Sequence, residues 1–427
     1  MGSQKKTPGT ISEKIMSRHC GRPCRAGETV VCRVDAAMAT DGSAPMAIDY
    51  FHDMGGKTIA DPRNLVFALD HYAPPDSPAT VTLQDRIRDF SKQHGNVTYE
   101  IGAGIGHQLM IERGHVRPGM LVVGADSHAV QYGAANAFAT GIGSSDLAAV
   151  MLTGKLWFRV PESICVTLTG KLGAGIDSKD IALEINRVLD PLDAGYRALE
   201  FTGPGARALT FEERLLLANM STDAGAKAGV FEADEKTAMY LGISEDEMET
   251  VSADLDAVYA KTLEIDLDTL KPKLARPPVG GAAAEIVDLG CDEGTVVNMV
   301  YLGTCTGGRK SDLENALRIL QAGGGKAPDV QLLVTPASDR VYGDMASNGL
   351  LAEFLKFGAL MMTPGCGSCC GTCGAIPGDD KVVISAANRN FTGRMGNPKA
   401  RVYLASPEAC AAAAVEGRIT DPRKFLS

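Results

Sequence analysis

The sequence lacks any hydrophobic run long enough to cross a membrane, and it carries no excess of positive charge. No window of its 427 residues approaches the ~18 consecutive apolar residues of a transmembrane helix. The N-terminal residues are polar and charged, so we expect no signal peptide. Forty-two Lys and Arg against 52 Asp and Glu give a net charge of −10, which argues against nucleic acid as a partner. We therefore expect a cytoplasmic protein that binds neither membranes nor nucleic acids.

Aromatic residues and internal repeats are also scarce. Phe, Trp and Tyr make up 5% of the chain, and no segment recurs at the fixed period that repeat proteins show. Glycine, by contrast, accounts for 48 residues, about 11% against the usual ~7%. This excess predicts many tight loops and sites lined by backbone.

An evenly spaced disulfide framework is absent as well. The chain has 11 cysteines, an odd number, and four of them fall within residues 366–373. In a reducing compartment, clustered cysteines are typical of metal ligands or redox groups rather than of disulfides.

Short apolar runs followed by glycine-rich loops and helical patterns recur along the chain. The runs at 120–124 and 296–302 are typical of buried parallel strands. Further short strands are predicted at 164–168, 332–334, 382–384 and 402–404. The pattern predicts an α/β protein with mostly parallel sheets.

Helix starts are marked by capping residues. Thr210 with Glu213 and Ser311 with Glu314 have the spacing of capping boxes, and Asp177 precedes a segment with helical periodicity. Changes in composition near residues 159–161 and in the Pro- and Gly-rich run at 271–281 predict domain boundaries. We expect three units, at 1–160, 161–276 and 277–427.

The densest chemical signal is the run at 364–373, which contains a C-x-x-C pair between glycines. Two thiolates at this spacing can bind one metal or cluster, and glycine lets backbone amides approach the sulfurs. Zinc, thiol redox and iron–sulfur chemistry all remain open for this motif alone. Cys305 adds a thiol at the end of a predicted strand, although a buried structural residue is the alternative interpretation.

Histidines and arginines supply two further candidate groups. Asp70-His71, His107 and Asp126-Ser127-His128 stand in loop-like contexts, where a carboxylate beside an imidazole suits general acid–base work. The other histidines, at 19, 52, 94 and 115, are expected at the solvent surface. Arg389 and Arg394 lie on one predicted loop and suit the capture of carboxylates, the alternative being a surface turn with an ordinary ion pair.

Together these motifs resemble the aconitase family, in particular its two-subunit branch, typified by the large subunit of 3-isopropylmalate dehydratase. The resemblance runs from Thr10 to Pro422 and includes GADSH at 124–128, GTCTGGR at 303–309, PGCGSC at 364–369 and NRNFTGRMG at 388–396. It implies three α/β/α domains with mostly parallel sheets around a central iron–sulfur site, without the swivelling fourth domain of single-chain relatives. A separate small subunit of ~160–200 residues would supply that domain, with its serine base and specificity loop.

The resemblance also implies the site residues. Cys305, Cys366 and Cys369 would hold one [4Fe–4S] cluster per chain with one open iron, which leaves Cys370 and Cys373 outside the ligand set. The implied acid–base pairs are Asp70 with His71, Asp126 with His107, and Asp223 with His128. The last carboxylate is Asp where the family has Glu. The implied substrate-binding residues are Ser127, Asn388, Arg389 and Arg394.

The implied activity is that of a hydro-lyase that dehydrates and rehydrates a malate-type 2-hydroxy dicarboxylate through a cis-alkene diacid. The alternatives are a hydratase for a smaller substrate (2,3-dimethylmalate, the pair citraconate/2-methylmalate, or maleate) or a homoaconitase. A more distant alternative is a zinc or redox-sensing protein that uses Cys366, Cys369, Cys370 and Cys373.

Overall fold

The computed structural model describes residues 9–189, 194–279 and 283–426. The strands, in chain order, are β1 (Thr29–Arg33), β2 (Ala36–Thr40), β3 (Leu65–Ala68), β4 (Val97–Tyr99), β5 (Leu121–Gly124), β6 (Phe138–Gly141), β7 (Lys155–Arg159), β8 (Ser163–Thr169), β9 (Ala198–Thr202), β10 (Ala228–Phe231), β11 (Lys261–Asp266), β12 (Lys273–Ala275), β13 (Ile286–Asp288), β14 (Met299–Leu302), β15 (Gln331–Val334), β16 (Leu360–Met361), β17 (Val382–Ser385) and β18 (Arg401–Leu404).

Helices alternate with these strands. The α-helices span Ile11–Cys20, Ala44–Asp53, Pro78–His94, Gly106–Glu112, Ser144–Thr153, Ser178–Val188, Gly203–Ala208, Phe211–Met220, Glu235–Leu241, Lys310–Ala322, Asp339–Ser347, Leu350–Lys356, Gly367–Cys370 and Pro407–Glu416. The 3₁₀-helices span Pro62–Asn64, Ser127–Ala135, Glu245–Glu247, Leu267–Thr269, Leu289–Asp292 and Pro422–Phe425. Within the described ranges, no helix combines the length and apolar character needed to cross a membrane.

Most strand pairs are parallel, which confirms the predicted fold class. One sheet has the order β4-β3-β2-β5-β6 and a second has the order β10-β9-β8-β11, both fully parallel. The third sheet, β13-β12-β18-β17-β14-β15-β16, is parallel except at β12. A separate antiparallel ribbon joins β1 and β7. The division into units at 160/161 and 276/277 stays a prediction, and β12 already pairs with the third sheet.

The three larger sheets share one apolar core. Its largest cluster includes Val122 from the first sheet, Leu199 from the second and Tyr301 from the third, all fully buried. Lys179 adds a polar connection, because its buried ammonium donates to the carbonyls of Ala386 and Ala387 at 2.9 and 2.8 Å. The loops at the strand ends are therefore held in fixed relative positions.

The predicted strands are present, although the run at 296–302 shortens to Met299–Leu302. The Thr210–Glu213 capping box and the Asp177 cap are confirmed. The Ser311–Glu314 box is wrong. Arg309 is the N-cap residue, its backbone N–H bonds to Asp312, and the helix begins at Lys310. The Ser311 side chain bonds to Glu212 instead.

The carboxyl ends of parallel strands gather the chemically active loops, as is general for α/β sheets. Asp41 follows β2 and Asp70 follows β3 within one or two residues, and Asp126 follows β5. In the third sheet, Cys305 follows β14 and Asn388 follows β17. Thr304, beside Cys305, has a φ of 75°, a left-handed conformation that is costly for a β-branched residue.

Candidate active site

Three histidines surround the carboxylate of Asp126. Oδ1 of Asp126 lies 2.8 Å from Nε2 of His107 and accepts the backbone N–H of His128 at 2.8 Å. Its Oδ2 lies 3.7 Å from Nε2 of His71, and Nδ1 of His71 is 2.8 Å from Oδ1 of Asp70. The predicted pairs Asp70–His71 and Asp126–His107 are thus in contact in the structure.

This arrangement shifts the protonation of the groups strongly. Burial disfavours the charged imidazolium of His71, but Asp70 outweighs it and raises the pKa of His71 to about 10. Burial likewise disfavours the charged carboxylate of Asp126, but His107 and His128 hold the pKa of Asp126 well below its usual value. A proton donor and an ionised carboxylate therefore coexist in one enclosed site, as acid–base catalysis requires.

Two residues that hold the site histidines in place were not predicted from the sequence. Asp41, fully buried, accepts the backbone N–H groups of His71 at 2.8 Å and Tyr72 at 3.2 Å, and so fixes the His71 loop. Its position one residue after an apolar strand was a usable signal. The hydroxyl of Tyr132 lies 3.1 Å from Nδ1 of His107 and orients that ring. Tyr132 stands in an apolar segment with no local feature to mark it.

The predicted Asp223–His128 pair is close but lacks a hydrogen bond. Oδ2 of Asp223 lies 3.6 Å from Nε2 of His128, and both atoms are buried without a hydrogen-bond partner. The other oxygen of Asp223 accepts from Nε of Arg389 at 2.6 Å, and Arg389 also donates to the Ser127 hydroxyl at 3.0 Å. Burial opposes ionisation, but His128 and Arg389 together lower the pKa of Asp223. Ser127, His128, Asp223 and Arg389 therefore form one cluster.

Two of the predicted cysteine ligands accept hydrogen bonds from side-chain N–H groups. Asn219 and Asn388 aim their amide N–H groups at Sγ of Cys305, at 3.2 and 3.5 Å. Arg394 donates to Sγ of Cys369 at 3.5 Å. A hydrogen bond from the Cys366 thiol and the positive charge of Arg394 both lower the pKa of Cys369. Burial acts in the opposite direction but is outweighed. N–H donors around sulfur stabilise thiolates, so these residues fit an iron–sulfur cluster.

The acid–base group and the thiols are neighbours. The backbone N–H of Cys366 donates to the carbonyl of Asp70 at 2.7 Å, which joins the two loops directly. A ring nitrogen of His71 lies within 4.8 Å of Sγ of Cys366 and Sγ of Cys370, which are likewise within 4.8 Å of each other. Cys373 instead directs its thiol at the carbonyl of Ala73, at 3.5 Å. The predicted histidines, cysteines and arginines thus meet in one site.

The surface location expected for the remaining histidines is confirmed for His52, whereas His94 and His115 are half-buried and His19 is nearly enclosed. Its side chain is 7% exposed, with Nε2 at 2.5 Å from Oδ2 of Asp35 and Nδ1 at 2.7 Å from the carbonyl of Ile15. His19 closes a contact between the first helix and the loop before β2. These contacts give His19 a structural role.

The chain is similar in sequence to one protein family and to several enzyme subunits. The family described as Aconitase family (aconitate hydratase) matches residues 13–417. The 3-isopropylmalate dehydratase large subunit 1 of Thermotoga maritima is 45% identical over 420 residues, which are 98% of this chain and 99% of that protein. The large subunit 2 of the same enzyme from Archaeoglobus fulgidus is 46% identical over 420 residues, with the same two coverages.

A solved structure shows a similar fold. The holo-form of aconitase X from Thermococcus kodakaraensis superimposes with a TM-score of 0.53 at 13% identity, over 86% of this chain and 89% of that one. At this identity the likeness concerns the fold alone.

Proposed function

The chain belongs to the aconitase family and is a hydro-lyase, and we propose that it is the large subunit of a 3-isopropylmalate dehydratase-like enzyme. The proposal rests chiefly on one observation. The Asp126-centred histidines and the cysteine loops form one site in a chain that matches such large subunits over 98% of its length. The substrate would be a malate-type 2-hydroxy dicarboxylate, interconverted through a cis-alkene diacid.

The family implies an iron–sulfur cluster, and we propose one [4Fe–4S] cluster per chain held by Cys305, Cys366 and Cys369. Support comes from the side-chain N–H donors that converge on the sulfurs of Cys305 and Cys369. Burial raises the pKa of Cys305 to about 12, so metal binding there must displace a proton. The chemistry such a cluster supplies, with one iron free of protein ligands, is Lewis-acid polarisation of the substrate hydroxyl.

The histidines and aspartates would move the protons. His71, paired with Asp70, holds a proton at neutral pH that it can donate to the departing hydroxyl. Asp126 fixes the ring of His107 and stays ionised, so it keeps the imidazoles oriented through the reaction. The base that removes the carbon-bound proton is assigned to the partner subunit.

The arginines would bind the two substrate carboxylates. Arg389 and Arg394 enter the site from one loop, and each presents a guanidinium that suits bidentate contact with a carboxylate. Arg389 already binds Ser127 and Asp223, so it is fixed in position before substrate arrives. Asn388, on the same loop, donates to the Cys305 sulfur at 3.5 Å. These four side chains, Ser127, Asn388, Arg389 and Arg394, are the proposed substrate-binding set.

The proposed partner is a small subunit, because the matching relatives are named as large subunits. The test is anaerobic reconstitution of the chain with iron and sulfide, followed by assay with and without that subunit. Alkene formation is read by ultraviolet absorbance on 3-isopropylmalate, 2,3-dimethylmalate, 2-methylmalate and homocitrate. We expect turnover of 3-isopropylmalate by the complex only. Full activity of the chain alone, or preference for another malate, would contradict the proposal.

A further inference from the structure

Cys370 has no role in the proposed cluster, yet it lies in a potential single-metal site. A ring nitrogen of His71, Sγ of Cys366 and Sγ of Cys370 all lie within 4.8 Å of one another, and the three side chains are half-buried. Cys366 and Cys370 are spaced one turn apart around the short helix Gly367–Cys370, so both sulfurs project to one side. Three ligand atoms from two loops are thus already assembled.

This ligand set differs in kind from the cluster set. A cluster binds each cysteine through a different iron, whereas a single ion needs all its ligand atoms around one point. Two thiolates, one imidazole and a water molecule form a common tetrahedral environment for zinc. Asp70 binds Nδ1 of His71 at 2.8 Å, and such a carboxylate orients a metal-binding histidine and raises its basicity.

The two loops are also held together without metal. The Cys366 N–H bonds to the Asp70 carbonyl at 2.7 Å, and the Thr372 hydroxyl donates to the His71 carbonyl. The ligands therefore need little rearrangement to bind an ion. Preorganisation of this kind lowers the entropic cost of binding.

We propose that the cluster-free chain binds one Zn²⁺ ion through His71, Cys366 and Cys370, with water as the fourth ligand. Binding releases the proton that His71 holds at neutral pH, together with protons from any ligand thiols that are not yet ionised. Because Cys366 also belongs to the proposed cluster set, zinc and cluster exclude each other. That second part rests on the proposed function, whereas the zinc site itself does not.

The zinc site is tested with Co²⁺ as a spectroscopic probe, on the full-length cluster-free chain under anaerobic conditions. We expect one equivalent to bind, with thiolate-to-cobalt charge-transfer absorption and the visible bands of tetrahedral Co²⁺, and Zn²⁺ to displace it. Cys370→Ser should weaken binding at least about 100-fold, because even losing an outer partner of a ligand costs 10–100-fold. Cys373→Ser is the matched control and should bind as the unmodified chain does. Equal binding by Cys370→Ser would overturn the proposal.

A second comparison separates the zinc site from the cluster site. Cys305→Ser should keep the cobalt spectrum but fail to assemble a cluster, while Cys370→Ser should assemble the cluster and thereby show that it is folded. Preloaded Zn²⁺ should block cluster assembly in the unmodified chain but not in Cys370→Ser. Loss of cobalt binding in Cys305→Ser would place the ion on the cluster cysteines and refute the site. Cluster assembly by Cys305→Ser would refute the proposed ligand set and leave the zinc site standing.

Discussion

Replacing Asp223 by Glu tests whether the 3.6 Å separation from His128 limits the pairing of these two residues. Nε2 of His128 and Oδ2 of Asp223 are both buried and without partners, although each is a strong hydrogen-bonding group. Glu is longer by one methylene, about 1.5 Å of bond length. A closure of roughly 0.8 Å brings the two atoms to the usual hydrogen-bond distance.

The expected change is in the pKa of His128, which Asp126 and Asp223 already raise against the opposing effect of burial. A hydrogen bond between charged groups contributes about 1.5–3 kcal/mol. Since 1.36 kcal/mol corresponds to one pH unit, the His128 pKa should rise further by about 1–2 pH units. Crowding from the added methylene costs about 1–3 kcal/mol, but it acts on both protonation states of His128 and largely cancels from the pKa.

The assay is titration of the His128 ring signals by NMR in the cluster-free chain, with unmodified protein and two variants side by side. Asp223→Gln is the matched control because it has the length of Glu without its charge, and it should lower the pKa of His128. Opposite directions for Glu and Gln would establish a direct charged contact. An unchanged or lowered pKa in Asp223→Glu would show that Arg389, bonded to Asp223 at 2.6 Å, fixes the carboxylate out of reach.

Three further perturbations follow from the same geometry. Lys179→Met leaves the buried carbonyl of Ala387 without its ammonium donor, whereas the carbonyl of Ala386 keeps the Thr306 hydroxyl at 2.9 Å. Urea unfolding should therefore show a loss of about 1–3 kcal/mol, and an unchanged free energy of unfolding would mean that water replaces the ammonium. Burial raises the pKa of Glu408 well above its usual value. The protonated carboxyl group therefore favours the folded chain at acidic pH, and the free energy of unfolding falls as pH rises, by up to ~1.4 kcal/mol per pH unit. Glu408→Gln should flatten that dependence as pH rises above the ordinary Glu pKa of about 4.3, and a curve parallel to that of the unmodified chain would refute the assignment. Arg394→Lys should raise KM for the dicarboxylate about 10–100-fold in the reconstituted complex by loss of bidentate contact, and an unchanged KM would remove Arg394 from the substrate site.

The strand-end residues of the site were predictable from sequence because their signal is local. An apolar run that ends in glycine marks a buried parallel strand, and the residues just beyond it lie at the carboxyl edge of the sheet. Cys305 was identified in this way and follows β14 in the structure. Asp126 and His128 were identified from their loop-like context, and they follow β5, so the same rule also applies to them. Asp41 carries the same signal after β2 and could have been found by applying the rule to every strand.

Residues that reach the site from elsewhere had no such signal. Asn219 lies in the last turn of the helix Phe211–Met220, and its contact with the Cys305 sulfur joins positions 86 residues apart. Tyr132 lies within the 3₁₀-helix Ser127–Ala135 among small apolar residues, where an aromatic side chain predicts packing. The prediction of the helix start at Ser311 was wrong because two capping patterns overlap there. Both Ser311 and Asp312 can bond to backbone N–H groups at a helix N-terminus, and in the structure Asp312 does so.

The Asp223–His128 separation shows why a matched motif does not fix a working geometry. His128 belongs to the first sheet's loops, Asp223 follows the helix Phe211–Met220, and Arg389 follows β17 of the third sheet. Their relative positions depend on how the three sheets pack on the shared core, where shifts of a few tenths of an ångström are resisted by close packing. Substituting Asp for Glu changes a side chain's reach by one methylene, which is comparable to the gap that separates a contact of 3.6 Å from a hydrogen bond. Whether Asp223 and His128 form a hydrogen bond therefore depends on both side-chain length and tertiary packing. The sequence motif specifies the side-chain length but not the packing.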